Sequence, residues 1–404
     1  MPSTMTIAQA STVLNGIYTQ VTGGGSLAAI TSPADFISAA ETLLLTGRDP
    51  VLNALSQVWS KTIFAYRDYK APLSGLEMDL ERYGNAVRKL SPVSQLMQDD
   101  ESFKYPVAYD AVNYPLNPYG DGVSVDQWEI SKQKVQQLNF YGTAVYQQRY
   151  TIFKDQFDNA FSSLDEFGRF NAMNLAERNN EKEQYKEVVA RGMQSNFIGA
   201  LIDEANTDRV VHLLTEYNAA TGLSLTATTV MQPSNFTGFM RWAWARIKTI
   251  VRLMGARSGR FQTIVNSEPV LRFTRPENMR VAILAQAYDQ MQTMVMSDTF
   301  HDDYLKGIDF EGVDFWQSIS APSSISVTPV YTDTSGNVTT GSATAHNAVF
   351  GLIHDKDALG YAIVNSWSAV TPLNIDGGYW NESYHARIKT VQDNTEKAVV
   401  LLLD

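Results

Sequence analysis

The chain of 404 residues contains no cysteine. Disulfides, thiolate metal sites and cysteine nucleophiles are thereby excluded, the product fits a reducing compartment, and stability rests on burial and association. Charged side chains are missing from residues 1–34, yet this stretch also lacks the basic start and compact apolar core of a signal peptide. No segment offers the roughly 18 unbroken apolar residues of a membrane span, so a cytoplasmic origin is expected. Acidic residues are absent between Tyr217 and Ser267, although Asp and Glu outnumber Lys and Arg by 43 to 32 overall. A net charge of -11 repels nucleic acid and anionic membranes, so any contact with either must be local.

Chemical motifs are also scarce. The five histidines (His212, His301, His346, His354 and His385) form no HExxH pair, GGGS at 23–26 has neither phosphate-loop nor GxGxxG spacing, and no GxSxG elbow occurs. Two clusters remain: His301 with Asp302 and Asp303, and His354 with Asp355 and Asp357 in GLIHDKDALGYA. Neighbouring side chains on a strand point to opposite faces, so neither cluster converges on a metal without a special turn. The second is expected to be a surface turn before a strand starting near Gly360. No catalytic, metal or cofactor residue is assigned.

What is present is a globular composition, 44% hydrophobic and 19% charged, long enough for two or three domains or one intertwined subunit. The opening segment, broken at Gly23, Gly24 and Gly25, reads as an arm that needs a surface to lie on. Residues 34–62 predict two short helices split at Gly47 and Pro50. The Tyr/Pro/Asn/Gln-rich region 100–150 predicts extended strands in a long loop that packs on a neighbour. Ser163 and Glu166 form a capping box at the start of the longest helix, about 40 residues and about 60 Å. Gly192 and Gly199 are the positions where it would bend.

Residues 238–260 read as an amphipathic helix. Arg241, Lys248 and Arg252 lie on one face, and Trp242 and Trp244 are expected to face the core rather than to stack bases. The cationic face is a candidate to meet, on another copy, the acidic stretch 298–314, which includes Asp302 and Asp303. MRVAILAQAYDQMQTMV predicts a buried strand running into a helix, TDTSGNVTTGSATAHN a surface hairpin, and KAVVLLLD a final strand. The fold class is α+β.

The order of these parts resembles the major capsid protein of tailed bacteriophages, the Hong Kong Ninety-Seven fold. QQLNFYGTAVYQQRYTIFKDQFDNAFSSLDEFGRF and the C-terminal run with its DKDA turn, GYWN segment, Tyr384/His385 pair and DN before an apolar end resemble head proteins of short-tailed phages of Gram-positive hosts. The resemblance implies an N-terminal arm and short helices at 1–62, an extended loop region at 63–150, a peripheral domain at 151–235 with a spine helix at about 163–203, and an axial domain at 236–404 with return strands. Residues 1–60 are too short and uncharged for a built-in scaffold, so a separate scaffolding protein is implied. The Lys–Asn crosslink of some members is assigned to neither Lys132 nor Lys134.

The implied function is structural rather than enzymatic. Hexamers and pentamers of this chain would build an icosahedral or prolate head, with a portal protein as partner and double-stranded DNA held inside without sequence specificity or any membrane. Such a protein is made in the host cytoplasm and ends in the virion capsid. Intersubunit contact candidates are Arg241, Lys248, Arg252, Asp302, Asp303, Asp355 and Asp357. An encapsulin-like nanocompartment shell is the alternative within the fold; a metal-dependent hydrolase using His354 and Asp357, or a DNA-binding monomer using 241–260, lies outside it.

Overall fold

A computed structural model describes residues 7–24, 27, 29–61, 73–78, 86–95, 97, 128, 130, 132–141, 143–289 and 309–404. The opening segment forms a helix, α1 (Ile7–Thr22), rather than an irregular arm. Its Ala10, Leu14 and Ile17 are fully buried against α2 (Pro33–Leu45) and α3 (Arg48–Lys61), so the surface it needs belongs to its own chain. The gap between α2 and α3 falls at Thr46 and Gly47; Gly47 is a predicted break, whereas Pro50 sits in the first turn of α3, where its missing N–H costs no helical bond. Ser32 and Asp35 cap α2 reciprocally, with Pro33 at its first position.

Strand β1 (Ala86–Pro92) pairs antiparallel with β2 (Val135–Tyr141), forming a two-stranded arm. The rest of the predicted long loop, 98–127, lies outside the described residues. Beyond β2 run β3 (Thr143–Phe153), α4 (Lys154–Ala160) and then the long helix α5 (Leu164–Asp203). The Ser163 hydroxyl accepts from the Glu166 N–H at 3.2 Å, but the Glu166 carboxylate takes a bond from Arg169 instead of closing the box. Helix α5 runs unbroken through Gly192 and Gly199. Gly199 has a packing role: a Cβ there would overlap the Val327 side chain.

Helix α5 passes through three environments along its length, which explains why it shows no single apolar stripe. Phe167 enters the core of α1–α4, and Ala190, Met193, Phe197, Ile198 and Leu201 enter a second core. Between them the charged middle, expected to be solvated, includes a buried Arg178 and Glu187. This middle crosses a three-stranded antiparallel sheet of β12 (Leu359–Val370), β13 (Tyr379–Gln392) and β3, with β13 central.

The second sheet has the order β4–β14–β11–β5–β6, comprising β4 (Val210–His212), β14 (Ala398–Leu402), β11 (Val349–Asp355), β5 (Met279–Leu284) and β6 (Asp309–Val313). Its pairs β4/β14 and β5/β6 are parallel and the rest antiparallel. Both faces are covered at its centre, so β14 (AVVLL) is a continuous apolar run and β5 (MRVAIL) nearly one, whereas the edge strand β6 (DFEGV) is mixed. Val399, Leu401 and Ile353 face α6 (Leu213–Thr221) and α8 (Pro233–Gly255), while Ala398, Val400 and Leu352 face the end of α5. The predicted final strand thus lies inside the sheet, not at its edge. A four-residue α7 (Ala227–Val230) precedes α8. The predicted strand-to-helix switch occurs at Leu284, with helix over 285–289. Two small hairpin-like pairs complete the fold: β7 (Ile325–Val327) with β10 (Thr344–His346), and β8 (Val330–Thr332) with β9 (Val338–Thr340), the latter being the predicted surface hairpin.

Candidate assembly surfaces

Helix α8 buries Phe239, Ala243, Ile247, Ile250 and Met254 at helical spacing and leaves Arg241 and Arg252 exposed and Lys248 half-buried. Its tryptophans pack inward as expected. Trp242 meets the Tyr217 ring at 5.5 Å, and Trp244 meets Phe310 at 5.3 Å with the Lys248 ammonium 5.8 Å from its own ring. Neither indole is a free stacking platform. Arg246, which the spacing argument left aside, grips Glu216 with two bonds of 2.6 and 3.0 Å. Asp302 and Asp303 lie outside the described residues.

The GLIHDKDALGYA stretch is a turn. β11 ends at Asp355 and β12 begins at Leu359, with the Asp355 carboxylate accepting from the Asp357 N–H at 3.0 Å. Asp355 is therefore buried and shapes the turn, whereas Lys356 and Asp357 reach solvent. His354 is buried between β14 and β5, and its Nδ1 donates to the Asp355 carbonyl at 2.8 Å. His354 and Asp357 thus occupy opposite environments. Among the described residues no group of three His, Asp or Glu side chains is placed to hold a metal ion.

A polar hub joins the β1–β2 arm to the body, and the spacing of residues gave no sign of it. The loop DNTEK, Asp393 to Lys397, is wholly buried between β13 and the apolar β14. Lys89 of β1 reaches Asp393 at 2.5 Å and also contacts Glu396, and Arg272 pairs with Glu396 from the other side. Burial works against the Lys89 charge, but the two carboxylates outweigh it and hold the ammonium above its ordinary range. Close by, fully buried Arg209 binds Glu204 at 2.8 Å and the Thr263 hydroxyl at 2.6 Å. Among the described residues Lys397 has no carboxylate partner. It donates to the Ala256 carbonyl at 2.6 Å and the Ser258 hydroxyl at 3.1 Å, and burial pushes it down to about 8.

The three-stranded sheet and α5 form a two-layer plate. On the inner side Arg178 pairs with Glu382, the Lys182 ammonium sits 4.0 Å from the Tyr384 ring centroid, and Tyr146 stacks on Tyr185 at 4.0 Å. Strand alternation then turns the intervening residues outward. Register places Asn365, Arg387 and Val145 in one outward row, Trp367, His385 and Gln147 in the next, and Ala369, Ser383 and Arg149 in a third.

The chain is similar to known proteins. A family model described as Phi29-like phage major capsid protein matches residues 46–401. The chain belongs to the Phi29-like phage major capsid protein family and is a structural protein of a capsid shell. No match was found among curated proteins. Among solved structures, the capsid of Staphylococcus phage Andhra matches with a TM-score of 0.51 at 9% identity, covering 85% of this chain and 87% of that one. A chain in "Structure of head fiber and inner core protein gp22 of native bacteriophage P68" matches with a TM-score of 0.49 at 9% identity over 85% of this chain and 87% of that one. The capsid asymmetric unit of cyanophage Pam1 matches with a TM-score of 0.45 at 11% identity, covering 85% and 95%. At such identities the likeness to the Andhra capsid speaks to fold, and the mixed α+β architecture agrees with it.

Proposed function

We propose that this chain associates with itself as hexamers and pentamers that close into an icosahedral or prolate phage head around double-stranded DNA. A separate scaffolding protein and a portal protein are its assembly partners, assembly takes place in the host cytoplasm, and the subunit performs no catalysis. Within the subunit, 1–62 serves as arm and short helices, 63–150 as the extended loop, 151–235 as the peripheral domain and 236–404 as the axial domain with return strands.

The observation that carries this reading is the β1–β2 arm. Among the described residues it contributes none to the cores of α1–α4 or of the five-stranded sheet, it is fastened to the body by the ions of the 393–397 loop, and it leaves Leu90 and Val135 more than half exposed. A two-stranded ribbon is marginal alone. Such a ribbon gains burial when it lies over a neighbouring copy, which offsets the entropy lost on ordering it.

Negative-stain microscopy of the full-length protein, alone and co-expressed with a scaffolding partner, tests the reading. Capsomer rings or uniform shells are expected. A compact monomer under every condition overturns it, and shells that package an enzyme in place of DNA favour the nanocompartment alternative.

A further inference from the structure

The outward face of the three-stranded sheet carries a charge opposite to that of the protein as a whole. β3 and β12 contain no acidic residue, and the only one in β13, Glu382, points inward to Arg178. Arg149 is exposed and Arg387 half-buried, with its Nε turned away from solvent, and among the described residues neither guanidinium pairs with a carboxylate. Between them in the register Trp367 and His385 stack face to face, ring centroids 5.0 Å apart and 8° from parallel, with the Gln147 amide 3.5 Å from the imidazole. The opposite side of the plate differs in sign. There α5 exposes Asp165, Glu166, Glu177 and Glu181, against which Arg169 is already paired with Glu166.

We propose that this sheet face is where the subunit meets the phosphate backbone of the enclosed duplex, which deepens the capsid reading and rests on it. Strands of 11 to 14 residues make a bed about 35 to 45 Å long, long enough to follow a stretch of duplex. Its planar and cationic groups contact phosphate and sugar without reading bases, so binding is independent of sequence. The rival cationic surface is the face of α8, where Arg241, Lys248 and Arg252 each already have an interaction partner within the chain. Because the rest of the subunit is acidic, the contact is weak and sensitive to salt. Two neutralised phosphates give a slope of about -2 in log K against log salt.

The test uses full-length subunits and a fluorescent 30-base-pair duplex of arbitrary sequence, followed by anisotropy at stepped salt. Capsomer and shell formation is scored separately by microscopy, and folding by circular dichroism. Wild type is expected to bind with a slope of about -2, Arg149→Glu with Arg387→Glu to lose at least about tenfold in affinity, and Glu177→Lys with Glu181→Lys on the other side to leave that loss unreproduced. Shells should still form from the sheet-face variant. The milder Arg149→Gln with Arg387→Gln keeps the test valid if the reversal fails to fold. Duplex binding unchanged in either sheet-face variant overturns the proposal, as does a wild type that binds no duplex at low salt. Unchanged binding together with lost shells identifies the face as a contact with the acidic side of another copy. Intact shells without duplex binding sink this proposal alone, whereas a monomer under all conditions sinks the capsid reading.

Discussion

Single residues in this subunit hold ions where a core would ordinarily hold apolar groups, and their behaviour follows from desolvation. Arg178 and Glu382 are both nearly inaccessible at the contact between α5 and β13. Removing one partner leaves the other charge buried and unpaired, so Glu382→Leu should cost about 3 to 5 kcal/mol. Replacing both by leucine should cost less than either single change, and a double-mutant cycle in urea measures the difference. Lys397 gives a pH signature. Its folded pKa of about 8 lies below the unfolded value near 10.5, so between those values the unfolded state binds more protons and stability rises with pH. Wild type should gain about 2 kcal/mol on Lys397→Met between pH 7 and 9.5, read as the change in the gap between their unfolding free energies. A constant gap would mean that the amine keeps its ordinary pKa inside the protein.

At the scale of elements, the fastening of the arm is separable from the stability of the body. Lys89 is the only β1 cation that reaches the 393–397 loop among the described residues, and Ser91 adds one contact to Arg272 at 3.3 Å. Lys89→Ala should speed hydrogen exchange across 86–92 and 135–141 by lowering the local opening free energy by about 1 to 3 kcal/mol, while β11 and β14 keep wild-type protection. Exchange that quickens throughout would show the arm and body opening together. The elements differ in how far their residues announced them. AVVLL and MRVAIL were readable because strands buried on both faces must be continuously apolar, and Ser163 marked the start of α5 because an N-cap is a local signal. The uncharged Ser/Thr/Ala composition of α1 resembles a linker, and its fully buried positions Ala10, Leu14 and Ile17 form only a narrow stripe. DNTEK gave no warning because polar residues usually signal solvent, and only the arrival of Lys89 and Arg272 from distant segments makes its burial affordable.

For the molecule as a whole, the linear order of parts was legible while their threading was not. Long helix, apolar strands and turn regions are local patterns, but the insertion of β14 between β4 and β11, or the parallel run of β6 beside β5, depends on contacts between segments far apart in sequence. Charge distribution crosses both levels. The acid-free interval from Tyr217 to Ser267 contains α8, whose exposed side carries the cations while its hydrophobic side is fixed in the core. Because Arg241 and Arg252 are exposed and Lys248 is only half-buried, replacing all three by glutamate removes no fully buried side chain, only surface interactions such as that of Lys248 with the Trp244 ring, and should lower folding stability by no more than about 1 to 2 kcal/mol. Assembly is another matter, since like charges placed at a copy-to-copy contact slow encounter and penalise docking. The triple variant should therefore melt close to wild type yet form far fewer capsomers or shells, with partial recovery in high salt as the repulsion is screened. Thermal unfolding and microscopy on the same preparation separate the two effects. Wild-type shell yields would remove α8 from the subunit contacts, and aggregated, misfolded protein would show that the three cations serve the fold instead.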